Sequence, residues 1–279
     1  MKATIILTGL LLLAGMTGTA PALVYNAGAD FNSATNPNGV WTYGVQTAAG
    51  DFVADDLTTD VPATTTWSGP VSGRDATVSA RYSSTYGGSY SEIGSAPGLN
   101  IVGGNTTGYD LYVDDVDSYN TTWPNRTLLR PGAVIIRSGN GVAYEPNSGD
   151  LRFTAPNPGE YTVSAQMYCS LVPRSDVHND REQCTVKVNG VIDQAQEVTG
   201  YYYANSYDTI TRTQFNYSKT LSLSAGATVD FLAIRSSAGG WAQTVGAFVT
   251  ITPTPEPGTL VLLVTGLLGL LAYAWRKRK

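Results

Sequence analysis

The chain has 279 residues, with 17 Lys and Arg against 22 Asp and Glu, and a formal net charge of −5. Six of these charges lie in the terminal segments, so positions 23–254 keep 21 acidic and 12 basic side chains, a balance of −9. Nucleic-acid binding needs a clustered cationic face, so this composition argues against a nucleic-acid partner. Positions 23–254 are long enough to form one sizeable domain with its own core.

The N-terminus has the three parts of a secretory signal peptide. Met1 and Lys2 form a short positive end, residues 3–15 are apolar, and Ala20-Pro21-Ala22 supplies small residues at the cleavage spacing. We therefore predict a signal peptide over 1–22, removed after Ala22. An uncleaved N-terminal helix is the alternative. Under both interpretations the middle of the chain is exported.

Residues 23–252 predict an all-β domain, because turn signals recur at short intervals and no window keeps a helical apolar stripe. The clearest alternation of apolar and polar residues runs from Glu160 to Cys169, and the patterns of residues 150–155 and 185–191 also predict strands. Many short strands with frequent turns predict a β-sandwich or jelly roll. Positions 73–131, rich in Ser, Thr, Tyr and Gly, depart from this pattern and predict a loop-rich insertion.

The two cysteines, Cys169 and Cys184, flank a polar stretch between two predicted strands. Cysteines on either side of a hairpin loop can reach the Cα separation that a disulfide needs, about 4.4–6.8 Å, and export places them in an oxidising compartment. We predict a disulfide between them, with two buried thiols as the alternative.

Candidate catalytic and metal-binding residues are few. His178 is the only histidine; it lies between Asp176 and Asp180, and no nucleophile motif accompanies it. A polar loop tip is therefore the simpler reading, and a zinc site is not expected from two cysteines and one histidine. Aspartates crowd residues 51–60 and 110–117, where clustered carboxylates could hold Ca²⁺, but solvated strand edges and turns are the preferred explanation.

Aromatic residues offer a third kind of site. Tyr201, Tyr203 and Trp241 belong to two segments that lie beside glycines, which suit exposed loops, and aromatic faces can stack on sugar rings. These three residues are our candidates for glycan stacking, and packing into the core or along strand edges is the alternative.

The C-terminus, residues 253–279, has its own organisation. Pro255-Glu256-Pro257 precedes an apolar run over 259–275, which as a helix would be roughly 26 Å long. The chain then ends in a basic stop of four residues: Arg276, Lys277, Arg278 and Lys279. This order predicts a single transmembrane helix at the lower length limit, with its basic end in the cytoplasm.

The Pro-Glu-Pro, short apolar helix and basic end together resemble the PEP-CTERM sorting signal of bacterial exosortase substrates. The strand order of residues 151–231, and Asp30-Phe31 with residues 36–41 and Tyr43, resemble the jelly-roll domains of such proteins and the carbohydrate-binding sandwiches of bacterial exoenzymes. The resemblance implies processing by an exosortase-type membrane enzyme. It also implies a cell-surface or extracellular-matrix location and an exopolysaccharide context.

Two functions remain open at this point. The first is an exported, non-catalytic protein that binds or organises polysaccharide or the cell envelope. The second is an exported polysaccharide hydrolase or lyase, for which the sequence shows no convergent catalytic set. The negative balance of the middle segment predicts a neutral glycan, or an acidic one bridged by Ca²⁺.

Overall fold

The computed structural model describes residues 23–47, 49–64, 76–85, 101–115, 125–137, 148–172, 179–201, 213–235, 244–254 and 257–277. The predicted signal peptide, 1–22, lies outside these residues. The strands, in chain order, are β1 (Tyr25–Asn26), β2 (Trp41–Gln46), β3 (Phe52–Ala54), β4 (Leu57–Thr64), β5 (Ala76–Tyr82), β6 (Ile101–Gly103), β7 (Leu111–Asp115), β8 (Asn125–Leu129), β9 (Val134–Arg137), β10 (Ser148–Thr154), β11 (Gly159–Cys169), β12 (Leu171–Val172), β13 (Asn179–Val188), β14 (Val191–Tyr201), β15 (Gln214–Leu223), β16 (Thr228–Arg235) and β17 (Thr244–Pro253). One helix, α1 (Pro257–Arg276), follows them.

These strands form two antiparallel sheets, and the predicted all-β sandwich is confirmed. Sheet A has the order β12-β8-β7-β4-β5-β6-β9-β17-β11-β15, with β1 paired to β17. Sheet B has the order β14-β13-β16-β10-β2-β3. The main core lies between the sheets and contains Leu151 and Phe153 from β10 and Tyr161 and Val163 from β11. The alternation predicted for these two strands therefore points to the core as expected.

Sheet A closes on itself at Ser170. The backbone N–H of Ser170 donates to Thr244 O of β17 (2.8 Å), and Ser170 O accepts from Leu128 N of β8 (2.9 Å). The segment that continues from β11 into β12 thus lies between β17 and β8. The ring of strands encloses a second core, whose buried members are Val61, Ala63, Val78, Ala80, Leu111, Val113, Leu129, Ala133 and Ile135.

The described residues of 73–131 differ from the loop-rich insertion that the composition predicts. They include strands β5, β6, β7 and β8, which form one side of this ring. Their inward positions are apolar residues such as Val78, Ala80 and Leu111, so the region contributes to the second core together with β4 and β9.

The structure does not support the predicted disulfide. Cys169 ends β11 in sheet A, whereas Cys184 lies well inside β13 in sheet B, so the two residues do not flank a hairpin. Both side chains are buried thiols in the main core, and no disulfide joins them. Burial raises the pKa of the Cys184 thiol, with Glu182 and Cys169 adding to the shift, so Cys184 is not an activated nucleophile.

The stretch after β1 is held in place by side chains that form hydrogen bonds with backbone groups of neighbouring strands and loops. Tyr43 N donates to Asn36 Oδ1 (2.9 Å), and Asn36 Nδ2 donates to Tyr43 O (2.7 Å) and to Asp55 O (2.8 Å). Asp30 Oδ2 accepts from Asn26 N (2.8 Å) and from the indole of Trp41 (3.1 Å). Asp30 and Asn36 thus fasten this stretch to Trp41 and Tyr43 of β2.

The edges of the two sheets meet along one side of the sandwich. Gln194 and Gln196 of β14 each extend an amide towards β15, donating to Asn216 O and Gln214 O at 3.4 Å. Thr213 N also donates to Thr199 O (3.1 Å). These contacts occupy carbonyls of an edge strand that would otherwise be free to pair with another chain.

Helix α1 covers the apolar segment 259–275 that the sequence predicts to be helical. In the described part of the chain, no helix is both long enough and apolar enough to cross a membrane.

The three hydrogen bonds of Asn36 give the first prediction. Asn36→Ala should lower the free energy of unfolding by about 2–4 kcal/mol, because three bonds are lost and the buried N–H of Tyr43 in β2 loses its acceptor. Asn32→Ala is the matched control: the Asn32 side chain accepts one exposed bond, from Ala34 N. This control should cost no more than about 0.5 kcal/mol. Urea unfolding of both variants measures the difference, and equal costs would contradict the assigned role of Asn36.

Candidate functional site

The outer face of sheet B carries charged residues on its central strands. In β10, Leu151 and Phe153 face the main core, so Asp150 and Arg152 point to the opposite face. The register places Arg152 opposite Asp230 of β16. We call the following residues of this face the sheet B cluster: Gln46, Phe52, Asp150, Arg152, Lys187 and Asp230.

Arg152 and Asp230 form the fixed part of the cluster. Arg152 Nε lies 2.6 Å from Asp230 Oδ1, and Arg152 Nη2 lies 3.1 Å from Asp230 Oδ2. The guanidinium also lies over the ring of Phe52, 3.9 Å from its centroid. Phe52 takes this position over Gly44, where a Cβ atom would come within 2.7 Å of the ring. Both charges of this pair are therefore compensated within the cluster.

Asp150 is the exceptional member. It is 0% exposed, and neither carboxylate oxygen has a hydrogen-bond partner among the residues that the structure describes. Burial raises the pKa of Asp150 well above its usual value, and Asp230 raises it further, while Arg152 and Lys187 act in the opposite direction. The protonated, uncharged form of Asp150 is thereby favoured.

A second buried polar group lies in the same row. Thr185 of β13 and Asp150 of β10 both pair with Leu232 of β16, so the two are on one face, separated by one strand. Thr185 is also 0% exposed, and its hydroxyl has no hydrogen-bond partner in the described part of the chain. Two positions of one row thus bury hydrogen-bonding capacity that the described residues do not use.

Lys187 and Gln46 meet across the face. The ammonium of Lys187 on β13 donates to Oε1 of Gln46 on β2, although β16 and β10 lie between these strands. The register also offsets Lys187 from Gln46 by four residues along the strands, so their Cα atoms would be about 19 Å apart on a flat sheet. This exceeds the reach of the two side chains, so the face is concave along this diagonal. The contact also brings Lys187 close enough to Asp150 to lower the pKa of that carboxyl group.

The chemistry available in the cluster is hydrogen bonding, together with one cation, Lys187, that pairs with no carboxylate of the described residues. The described residues contain no group of three or more His, Cys, Asp or Glu side chains that could hold a metal ion. The aspartates of 51–60 serve local contacts instead: Asp56 accepts from Ser84, and Asp60 accepts from Ser79. Ca²⁺ therefore finds no assembled site in this part of the molecule.

The structure leaves most of the predicted site residues untested. Tyr203, Trp241, Pro255, Glu256, Arg278 and Lys279, together with Asp176 and His178, lie outside the described residues. Tyr201 is the last residue of β14, with a side chain that is not described. Pro257 begins helix α1, Arg276 ends it, and Lys277 follows it.

The sheet B cluster itself was missed at the level of sequence. A signal existed, because Asp150, Lys187 and Asp230 each adjoin apolar residues in segments that read as strands. A charge within a buried strand points away from the core, and three such strands hinted at one polar face. The sequence pattern alone could not show that these strands are neighbours.

Comparison with known proteins gives one match in sequence and several in fold. A family model described as PEP-CTERM protein-sorting motif matches residues 253–279. No curated protein matches the chain.

Among solved structures, the CBM36-1 domain of a multidomain xylanase from the hindgut metagenome of Trinervitermes trinervoides is 10% identical, covers 44% of this chain and 98% of its own, and has a TM-score of 0.24. A family 35 carbohydrate binding module from Clostridium thermocellum is 15% identical, covers 44% and 93%, and has a TM-score of 0.22. The K3 cleaved adhesin domain of Lys-gingipain from Porphyromonas gingivalis is 20% identical, covers 43% and 73%, and has a TM-score of 0.25. These likenesses concern the fold alone. The chain is thus a β-sandwich protein that ends in a PEP-CTERM protein-sorting motif.

Proposed function

We propose that the protein is an exported, non-catalytic surface or matrix protein that binds polysaccharide on the outer face of sheet B. Its C-terminal motif directs it to an exosortase-type processing enzyme. The sorting part of this proposal is supported by the match at residues 253–279, and the binding part by the sheet B cluster.

The observation that carries the binding proposal is the pair of unsatisfied buried groups, Asp150 and Thr185. Buried polar groups in native proteins almost always have partners, because an unsatisfied one costs about 1–3 kcal/mol. A bound ligand supplies the missing partners, so such groups are expected where a ligand belongs. Here they lie on a concave face, which suits an extended molecule.

The chemistry of the face favours a sugar chain over an apolar or a nucleic-acid ligand. Gln46, Asp150 and Thr185 offer hydrogen-bonding groups of the kind that pair with hydroxyls. Most of the charge is compensated within the cluster, because Arg152 and Asp230 bind each other. The exopolysaccharide context implied by the sorting signal agrees with this ligand class. The stacking surface of Tyr201, Tyr203 and Trp241 stays a separate prediction.

A second candidate, a polysaccharide hydrolase or lyase, has one observation in its favour. Asp150 has a raised pKa, as a general acid requires, and Asp230 is a second carboxyl group on the same face. However, both oxygens of Asp230 accept hydrogen bonds from Arg152. A carboxylate held in this way is poorly placed to act as base or nucleophile, so we favour binding without catalysis.

The sorting proposal predicts a defined change in mass. Protein from a native host with an active exosortase should lack the segment that follows the Pro255-Glu256-Pro257 motif. The same chain made in a host without this enzyme should retain it. Intact-mass measurement decides the question, and an unprocessed C-terminus in the native host would refute the sorting role.

The binding proposal predicts the effect of one hydroxyl group. Thr185→Val keeps the shape of the side chain and removes the unsatisfied Oγ, so glycan affinity should fall about 5- to 10-fold, as expected for one lost hydrogen bond. Affinity electrophoresis in gels cast with host polysaccharide measures the change. Thr162→Val is the control, because Thr162 lies exposed on sheet A and bonds Thr220. Identical migration of wild type, Thr185→Val and a Tyr201/Tyr203/Trp241 triple-alanine variant would remove support for binding at either place.

The burial of Asp150 predicts the sign of a pH effect on stability. Its pKa is raised in the fold, so the native state keeps this proton where the unfolded chain has lost it. The contribution of protonated Asp150 to the free energy of unfolding is fully present below about pH 3.9, and it is lost as pH rises through the folded-state pKa of Asp150. Asp150→Asn cannot ionise, so its stability relative to wild type should increase steadily with pH. Urea unfolding between about pH 3 and pH 8 measures this trend.

Asp193 supplies the control of opposite sign. A hydrogen bond from Lys219 lowers the pKa of Asp193, and a bond from Tyr217 acts in the same direction. This contribution is present at neutral pH and is lost as pH falls through the lowered pKa. Asp193→Asn should therefore be less stable than wild type at neutral pH and equal to it in acid. A parallel response of both variants would show that the shift assigned to Asp150 is incorrect.

A further inference from the structure

The middle of the chain has only two lysines, and the fold treats them differently. Lys219 Nζ lies 2.6 Å from Asp193 Oδ1, so its charge is compensated. Lys187 instead donates to the amide oxygen of Gln46, and it has no carboxylate partner among the described residues. Lys187 is therefore a half-buried cation that is held by a neutral acceptor.

The neighbours of Lys187 do not neutralise it. Asp230 is the nearest acid by register, directly opposite Lys187 on β16, but both of its oxygens are engaged by Arg152. Asp150 is fully buried, and its proton is favoured by that burial. The sheet B cluster therefore has an excess of positive charge at Lys187, beside a carboxyl group that can donate a hydrogen bond.

We infer that the sheet B cluster recognises a carboxylate-bearing sugar, a uronate unit of an acidic polysaccharide, with Lys187 as its cationic contact. This inference rests on the proposed function and specifies the class of ligand. It also departs from the neutral glycan that the overall charge of the exported segment predicts.

The contact between Lys187 and Gln46 indicates how a carboxylate would bind. Gln46 Oε1 occupies the acceptor position at the ammonium, and a uronate oxygen can take that place with a stronger, charge-assisted bond. The second uronate oxygen then accepts from the protonated carboxyl group of Asp150. Both unmet requirements, a charge for Lys187 and a partner for Asp150, are satisfied by one ligand group. No bond is formed or broken covalently, and the proton stays on Asp150.

The negative balance of the whole domain does not oppose this binding. Charges separated by more than about 8 Å are largely screened at physiological ionic strength. The local arrangement therefore decides the sign of the ligand at this face. Because Asp150 is 0% exposed, binding requires the side chains that cover it to move, and the uronate displaces the Lys187–Gln46 contact on the same face.

The test compares oligogalacturonate with the methyl-esterified oligomer of the same length, using the full-length protein and a chelator that removes Ca²⁺. The two probes share one backbone and differ in the charge of the carboxyl group. We expect the free acid to bind at least about 10-fold more tightly, as for a hydrogen bond between charged groups. Lys187→Met should abolish this preference, and Lys187→Arg should keep most of it. Lys219→Met is the matched control and should bind as wild type does.

A pH series tests the part assigned to Asp150. The charged groups that face Asp150 are Arg152 on β10, Asp230 on β16, Lys187 on β13 and Asp55 after β3. As pH rises and Asp150 loses its proton, the preference for the free acid should decline. Asp150→Asn keeps a hydrogen-bond donor at every pH, so its preference should be retained and should no longer depend on pH.

The outcomes separate this inference from the proposed function. Equal binding of the acid and the ester would overturn uronate recognition and leave polysaccharide binding in place. Equal loss of preference in Lys187→Met and Lys219→Met would overturn the assignment to Lys187. If neither probe nor any neutral glycan binds, both the inference and the binding function fail.

Discussion

Strand β11 pairs with two neighbours along nearly its whole length, β15 on one side and β17 on the other, and both cores depend on this double pairing. Its inward side chains fill the space between the sheets. Its continuation through Ser170 into β12 then pairs with β8 and closes sheet A. Pairing strands so far apart in sequence costs chain entropy, which is offset because each buried large apolar side chain contributes about 1.5–3 kcal/mol. A single continuous segment thus supports the sandwich and the ring of strands beside it.

In sheet B the energetics differ from those of the apolar cores, because its central strands carry charged side chains on one face. The Arg152–Asp230 pair is bidentate and partly buried, an arrangement whose attraction and desolvation nearly cancel. Asp150 has no such compensation and lowers stability at neutral pH, whereas Asp193 near the surface stabilises through Lys219. A fold with well-packed cores can tolerate one such cost. Asp150 lies on a concave face, beside a lysine that has no carboxylate partner in the described part of the chain, and this place distinguishes it from a packing defect.

The parts of the fold that could be predicted are those with local apolar alternation. Residues 159–169 show a clear period of two, and the structure places them as a strand with the expected inward face. Strands β5 to β8 were not predicted because three of them are short: β6 has three residues, and β7 and β8 have five each. The disulfide prediction is not supported for a different reason: neighbours in sequence were taken as neighbours in one sheet, whereas the chain changes sheets after β12. The sheet B cluster also depends on which strands become adjacent, and no local pattern contains that information.

The sorting motif and the candidate binding face can act independently, and the end of β17 shows why. The register of β17 ends at Pro253 opposite Tyr161, and Thr254 N donates to Glu160 O (2.7 Å). A cut beyond Thr254 therefore removes none of the hydrogen bonds that hold β17 in sheet A. The sheet B cluster draws on β2, β3, β10, β13 and β16, all of which precede β17 in the chain. The segment that processing would remove supplies no residue to this cluster, so the binding face is complete both before and after sorting.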